Sequence, residues 1–469
     1  MVEPLTGGSG ITRAPLVRGI ALFGLPLVAA MLLTALFNLV DLFIVARYGD
    51  AAVSVAAVTI PSLVNSIPMI IFNGIVNAMI ALVARHHGLG DRGQASLAAE
   101  QGILLTVVLG VVFGVPPWLY AEEICVALGA TGAVIPPATA YLEIMSLGTV
   151  TMFMLLTVTG AMRAAGNSLL PMALIVGANI LNVVLDVWFV FGGLGLEPMG
   201  VAGAAWATVA SRLLAAVIGI VALYRGFAGL LVRRFVFHGV VAWRILRIGL
   251  PSCAQWLVRM GAYLYILAFL ADAAPRAGIP TTAAQAAFGV GLRLDSLALF
   301  GGFGWGAAAA TFVGQNLGRG LPDRAVRATW IALGFNMMMM LLFAAGYVLF
   351  AEPLLRAFGF DAGAAADVQT VIEVGRTYLY VSSAGYVFLA VAVVISNALA
   401  GAGATIAPFV IELLAYGVVG YPLTRWAAQH TDVFGLRGFW IVAVAIHLAV
   451  AVVYVIWFRY GAWTKKEIH

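Results

Sequence analysis

The sequence predicts an all-α, polytopic membrane protein of twelve transmembrane helices, arranged as two six-helix lobes related by an internal repeat. Three observations predict it. The 469 residues are 63% hydrophobic and only 10% charged, with a mean hydropathy of +1.04, whereas soluble domains carry about 25% charged residues. Apolar runs of the roughly 20 residues that a bilayer requires recur along almost the whole chain. The second half also restates short motifs of the first in the same order.

Taken in order, the runs lie at about 17–45, 53–84, 97–119, 134–161, 168–192 and 200–224, then 243–271, 282–313, 325–350, 368–397, 404–427 and 436–460. The first follows a short arm with Arg13 and Arg18 and is succeeded by eleven more, so it reads as a retained anchor and not a cleaved signal. It carries Gly24-Leu25-Pro26, restated in the seventh run as Gly249-Leu250-Pro251. The second closes on Leu82-Val83, Gly88 and Asp91-Arg92, as the eighth closes on Phe312-Val313, Gly318 and Asp323-Arg324. Tyr141, Leu142 and Ser146 in the fourth match Tyr378, Leu379 and Ser383 in the tenth, and Gly166 and Pro171 match Gly403 and Pro408, all 237 positions on. Gly200 and Gly203, opening the sixth, match Gly435 and Gly438 at 235. The lobes are therefore 1–224 and 243–469, joined by a basic linker, 225–242. Six spans per half make the repeats parallel, with a cleft between them that can open to alternate sides.

Charge fixes the orientation. With the N-terminus in the cytoplasm, sixteen of the 25 Lys and Arg residues fall on that side and six on the other, with Arg212, Arg259 and Arg293 inside helices. That bias obeys the positive-inside rule and places both termini in the cytoplasm of an inner, or plasma, membrane. The net charge of +5 thus reports topology and not nucleic-acid binding. No long polar segment leaves room for a soluble catalytic or nucleotide-binding domain. With Lys465 and Lys466 as the only lysines, no Walker motif exists either. Cys125 and Cys253 read as two unrelated small apolar residues. The six histidines show no metal-ligand spacing, and no cofactor or metal is implied.

The ionisable residues inside the spans carry the function. A carboxylate in hydrocarbon costs of order 3 kcal/mol on insertion scales, so it usually marks an ion or substrate path. Asp186 lies in the fifth run with Asn179 and Asn182 on the same helical face, and Asn38 and Asp41 share a face in the first. Two carboxylates in one low-dielectric lobe disfavour joint ionisation and so can hold a proton. With Asn and Thr oxygens the same face suits a hard cation such as sodium. Interhelical hydrogen bonding alone is the plain alternative. Pro26 removes a backbone bond and can kink the first helix. Arg259, Arg293 and Asp295 are candidates for an internal ion pair in the second half, and Glu412 for attracting a cation in the cleft or pairing with an arginine. Arg212, whose repeat counterpart is His447, is placed on the cleft side or paired elsewhere. Phe37, Met69, Phe72, Trp256, Met260, Tyr263 and Phe288 are candidate walls of an adaptable substrate cleft.

Five segments in this order resemble the multidrug and toxic compound extrusion, or MATE, family. They are Gly24-Leu25-Pro26 leading to Asn38-Leu39-Val40-Asp41; Gly160 to Asn167; Asn179 to Asp186; Gly200 to Thr208; and Val313 to Gly318. The resemblance spans nearly all of the chain. It implies a secondary antiporter, acting as a monomer in the lipid bilayer, that exports cationic or amphipathic organic compounds in exchange for protons or sodium ions. It also implies that Asp41 and Asp186 bind the coupling ion, as in relatives of the DNA-damage-inducible type, with Tyr141, Asn182, Asn179 and Thr208 as neighbours. Thr159 stands where such relatives often have asparagine. Another branch has acidic residues where this chain has Arg259 and Leu389, which predicts coupling confined to the N-terminal half. Two rivals are a flippase for a lipid-linked precursor, expected to have a more cationic cavity, and a membrane enzyme, for which no Ser/His/Asp grouping is present.

Overall fold

The computed structural model describes residues 10–13, 15–193, 195–357 and 365–466. Eleven of its helices are long and apolar enough to cross a membrane: α1 (Leu16–Val45), α2 (Ala51–Leu89), α3 (Arg92–Leu119), α5 (Leu169–Phe191), α6 (Gly200–Tyr224), α7 (Gly239–Arg276), α8 (Thr281–Gly318), α9 (Pro322–Leu349), α10 (Val368–Gly401), α11 (Ile406–Gln429) and α12 (Thr431–Tyr460). The fourth span, α4, is a pair, Gly132–Leu147 and Thr149–Ala164, bent by 43°. Twelve spans are present among the described residues with that pair counted as one. The bend falls at Gly148, where a Cβ would stand 2.3 Å from the Val209 side chain of α6, so the missing side chain lets α6 press into the turn. Several helices outrun their apolar runs; α2, for example, continues to Leu89 before Gly90 ends it with φ 84°.

The repeat is conformational as well as sequential. Gly200 and Gly435, matched in the sequence, have φ of 58° and 62°, and Gly166 and Gly403 have φ of 94° and 75°. Glycine is favoured at such positions because a Cβ there meets the backbone. The linker 225–242 is strapped to α3. The carboxylate of Glu100 accepts from the Arg233 and Arg234 amides at 2.7 and 2.9 Å, and Gln101 accepts from the His238 amide and donates to the Val236 carbonyl.

Packing does not follow the chain division between lobes. Ile20, Phe23, Leu27 and Val28, in the first half of α1, are buried in the core built by the later part of α7 and by α8 to α12. Beyond Pro26 the same helix delivers Ile44 and Val45 to the N-terminal core. The exchange is mutual, since Ala242, Ile245 and Cys253 of α7 lie in the N-terminal core. Both crossings use glycine. A Cβ on Gly24 would meet the Trp305 ring at 2.4 Å and one on Gly249 the Ile75 side chain at 2.8 Å; Gly304 abuts Val28 as Gly74 abuts Cys253. Trp305 and Ile75 occupy matching positions of the repeat, as do Gly304 and Gly74. The helix runs unbroken through Pro26 and changes lobes only beyond Leu32, which still packs against the C-terminal core.

At the end of the molecule where α1 begins and α12 ends the lobes are shut. A Cβ on Gly88 would stand 2.2 Å from the Gln315 carbonyl, and one on Gly318 2.2 Å from the Arg85 carbonyl. Gln315 donates to the Ala164 carbonyl at 2.7 Å, joining the Val313–Gly318 and Gly160–Asn167 segments. Both cysteines are buried free thiols, and Cys253 donates to the Ile71 carbonyl across the lobe boundary.

Candidate coupling site in the N-terminal lobe

Asp186 is wholly buried on α5. A helix places residues four apart on one face, so Asn182 reaches it: the Asn182 amide donates to Asp186 Oδ1 at 3.2 Å and to Thr208 Oγ1 of α6 at 3.3 Å. One turn further on, Asn179 donates to Thr34 Oγ1 of α1 at 3.1 Å, tying α5 to the helix that carries Asp41. The Asp41 and Asp186 carboxyls lie within hydrogen-bonding reach of each other. Asp41 Oδ1 and Asp186 Oδ2 are buried and have no other donor. Two carboxyl groups in such contact satisfy each other only if one carries a proton, because two ionised carboxylates are acceptors alone. Tyr141 is buried within electrostatic range of both.

Arg212 lies on α6 among the helices of the N-terminal lobe. It faces a small pocket with Asn65 between α2, α4 and α6, and its charge acts on Asp41 and Tyr141. Thr159 is not brought to the cluster: its hydroxyl donates to the Leu155 and Leu156 carbonyls of its own helix at 2.7 and 3.2 Å. Of the sequence candidates, the structure thus gathers Asp41, Asp186, Asn182, Asn179, Thr208 and Tyr141, and leaves Thr159 out.

The C-terminal lobe departs furthest from the sequence reading. Arg259 does not pair with Asp295; its guanidinium grips both oxygens of Glu412 and lies 5.1 Å from the Trp256 ring centre. Gln255 and Tyr454 donate to Glu412 as well, at 2.7 and 2.8 Å. Glu412 is therefore a closed internal counter-ion, fully buried, and not an open cleft anion. A carboxylate taken so far from water requires a cation and donors of its own. It immediately precedes a π-helical stretch, Leu413–Gly420. Asp295 accepts instead from Tyr386 and Tyr378, each at 2.5 Å, while Arg293 points to the exposed side of α8. Sequence reasoning missed Gln255, although it sits four residues before Arg259, and missed Tyr378, although the repeat matches it with Tyr141.

The cleft candidates divide. Phe37 and Trp256 are half-buried and Met69 is 37% exposed. Phe72 is core, stacked on Phe153 at 3.9 Å, and Tyr263 and Phe288 line a cavity inside the C-terminal lobe.

Comparison with known proteins agrees with this architecture. The MatE family model matches residues 26–188 and 262–426, one stretch in each lobe. The chain belongs to the MatE family. As a member it is a multi-pass membrane transporter and not an enzyme. It is 24% identical to a probable multidrug resistance protein NorM of Thermotoga maritima over 95% of this chain and 92% of that protein. It is 25% identical to an FAD transporter of Shewanella oneidensis, over 92% of this chain and 91% of that one. An outward-facing multidrug resistance MATE family transporter of the MOP superfamily shares the fold, with a TM-score of 0.86 over 99% of this chain and all of that one at 23% identity.

Proposed function

We propose that this MATE transporter is a secondary antiporter of the inner membrane that exports cationic or amphipathic organic compounds, with Asp41 and Asp186 carrying the coupling ion. The observation that carries the reading is the facing pair of carboxyls, Asp41 and Asp186, inside the N-terminal lobe. Such a pair holds one proton at rest and releases it when hydration or an approaching cation favours two charges. Asn182 fixes the Asp186 carboxyl and Thr208 in one frame, and Arg212 supplies a charge that steadies Asp41 when it ionises. A proton is the coupling ion this geometry favours over sodium, since Thr159 contributes no oxygen to the cluster.

With the chain termini in the cytoplasm, the sealed end is the inner one, and the arrangement is outward-facing. Its multidrug resistance relatives support export. A flippase for a lipid-linked precursor, or an anion carrier like the FAD transporter relative, would want free intramembrane cations. Here Arg259 is bound to Glu412 and Arg212 acts on Asp41, which argues against an anionic cargo.

Proteoliposomes test the proposal. Dye efflux should follow an imposed pH gradient with sodium absent, fail under a sodium gradient at fixed pH, and lose its gradient dependence in Asp41→Asn and Asp186→Asn. Wild-type coupling in both variants would remove the pair from the mechanism.

A further inference from the structure

The shut end of the lobe boundary carries positive charge without carboxylate partners among the described residues. From Arg225 to Leu250 the sequence holds five arginines, Arg225, Arg233, Arg234, Arg244 and Arg247, and no aspartate or glutamate. The buried Glu100 beneath this stretch is occupied by backbone amides, those of Arg233 and Arg234. Among the described residues no carboxylate forms an ion pair with any of the five.

The first turns of α7 sort part of this charge onto one face. Val240, Trp243, Arg244 and Arg247 stand at spacings that a helix places on one side. Phe237 comes just before, its ring 3.7 Å from where a Cβ on Gly239 would stand. Phe237, Val240 and Trp243 are 65%, 67% and 60% exposed, and Arg247 is exposed too, whereas Ala242 and Ile245 turn inward to the N-terminal core. An apolar and aromatic face interleaved with arginine at the end of a span suits the headgroup level of a membrane.

A further cation comes from the other lobe. After α12 the chain passes through Trp463, buried in the C-terminal core and stacked on Phe458, to Lys466. Lys466 is half-buried and within electrostatic range of Arg247; burial, and then the Arg247 charge, hold its ammonium below the usual lysine range. Arg247 is flanked by Ile245 and Ile248, which pack on the N-terminal core, so two like charges meet across the seam that closes at Gly88 and Gly318. Such a pair repels unless an anion stands between its members. A phospholipid supplies both halves of what this surface lacks, a phosphate for the cations and hydrocarbon for the exposed rings. Free phosphate would leave the apolar face bare.

We infer that an anionic phospholipid binds at this seam, its phosphate between Arg247 and Lys466 and its chains against Phe237, Val240 and Trp243, and that it holds this end of the lobes shut. The inference goes beyond the exporter reading and needs neither its cargo nor its coupling ion.

The test uses the purified full-length protein in dodecyl maltoside, with native mass spectrometry comparing adducts of dioleoylphosphatidylglycerol and dioleoylphosphatidylcholine. The chains are identical, so a difference reports the headgroup. The phosphatidylglycerol adduct should be favoured by about tenfold or more, as two basic residues acting on one anionic headgroup imply. Arg247→Gln/Lys466→Gln should lose that preference, Arg247→Lys should keep it, and Trp243→Gln should weaken adducts of both lipids severalfold. Arg18→Gln/Arg319→Gln, which removes two exposed charges elsewhere at the same end, should keep it. In a Cys125→Ala/Cys253→Ala background, Ala84→Cys should react severalfold more slowly with a water-soluble thiol reagent once phosphatidylglycerol is added, and inorganic phosphate should not slow it. Equal adducts of the two lipids, or a preference that survives Arg247→Gln/Lys466→Gln, overturns the site. So does a preference lost equally in Arg18→Gln/Arg319→Gln, which reports bulk charge alone. Protection by inorganic phosphate makes the occupant a free anion and overturns the lipid, and a thiol reaction rate that phosphatidylglycerol leaves unchanged overturns the latch. None of these outcomes bears on gradient-driven efflux, so the exporter reading stands or falls separately.

Discussion

Removing Glu412 tests the view that the C-terminal lobe contains its own internal counter-ion. The Glu412 carboxylate is 0% exposed and the Arg259 side chain only 14%. In Glu412→Met the guanidinium stays against Trp256 without an anion, and the Gln255 amide and Tyr454 hydroxyl lose acceptors at 2.7 and 2.8 Å. Breaking one side of a buried pair costs about 3–5 kcal/mol, because the remaining charge is stranded. For a unit of 150–250 residues each kcal/mol moves the unfolding midpoint by about 2–4 °C, so a fall of order 10 °C follows. The double variant Arg259→Met/Glu412→Met removes the stranded charge together with its partner. It should recover most of the loss, since apolar replacement of a whole buried pair is often neutral or stabilising. The assay is thermal unfolding in detergent, followed by tryptophan fluorescence, of wild type, both single variants and the double. A double variant as unstable as Glu412→Met would refute the reasoning. So would a Glu412→Met midpoint within about 2 °C of wild type, the shift expected from about 1 kcal/mol or less.

Other outcomes follow from the same geometry. Gly88→Val should prevent the lobes from shutting at the terminal end, because its first side-chain carbon would already stand 2.2 Å from the Gln315 carbonyl; a cysteine placed at buried Ala84 in a Cys125→Ala/Cys253→Ala background should then react faster with a water-soluble thiol reagent, and an unchanged rate would contradict the closure. Gly435→Ala should cost about 1–3 kcal/mol of backbone strain, because its φ of 62° with ψ of −178° lies in a region essentially confined to glycine. Gly200→Ala should cost more, because the Tyr48 ring lies 2.5 Å from the added carbon while nothing lies within 4 Å at Gly435; equal unfolding midpoints for the two would dismiss the steric account. Thr159→Val should retain gradient-driven efflux, since its hydroxyl serves its own helix, whereas Asn182→Leu should weaken it by releasing Asp186 and Thr208 together. Loss of coupling in Thr159→Val would return that residue to the site.

Asp186, Asn182 and Asn179 were legible as a group because a helix converts spacing directly into a shared face. Asp41 was legible as a lone carboxylate in an apolar run, and the repeat was legible from matched glycines and prolines. Arg259 was misread for an equally physical reason. Its partner, Glu412, lies 153 residues away, and spacing says nothing about which helices touch. Asp295 looked like the nearer choice because it lies closer in the chain and two residues from Arg293. Matching against a motif on α7 and α10 could not register a carboxylate brought in by α8.

Composition, periodicity and self-similarity determined by themselves that this chain spans a membrane in twelve passes and two related halves, and which residues stand out of place in hydrocarbon. Those are properties of single segments, fixed by the cost of polar groups in lipid and by the pitch of a helix. Only the tertiary structure decided that α1 and α7 each begin in the opposite lobe's core and cross beyond Gly-Leu-Pro, that Asp41 and Asp186 face each other, and that Glu412 is closed while Asp295 lines a ringed cavity. Each is a contact between helices distant in the chain, chosen by side-chain packing across the whole bundle and not by any local stretch of sequence.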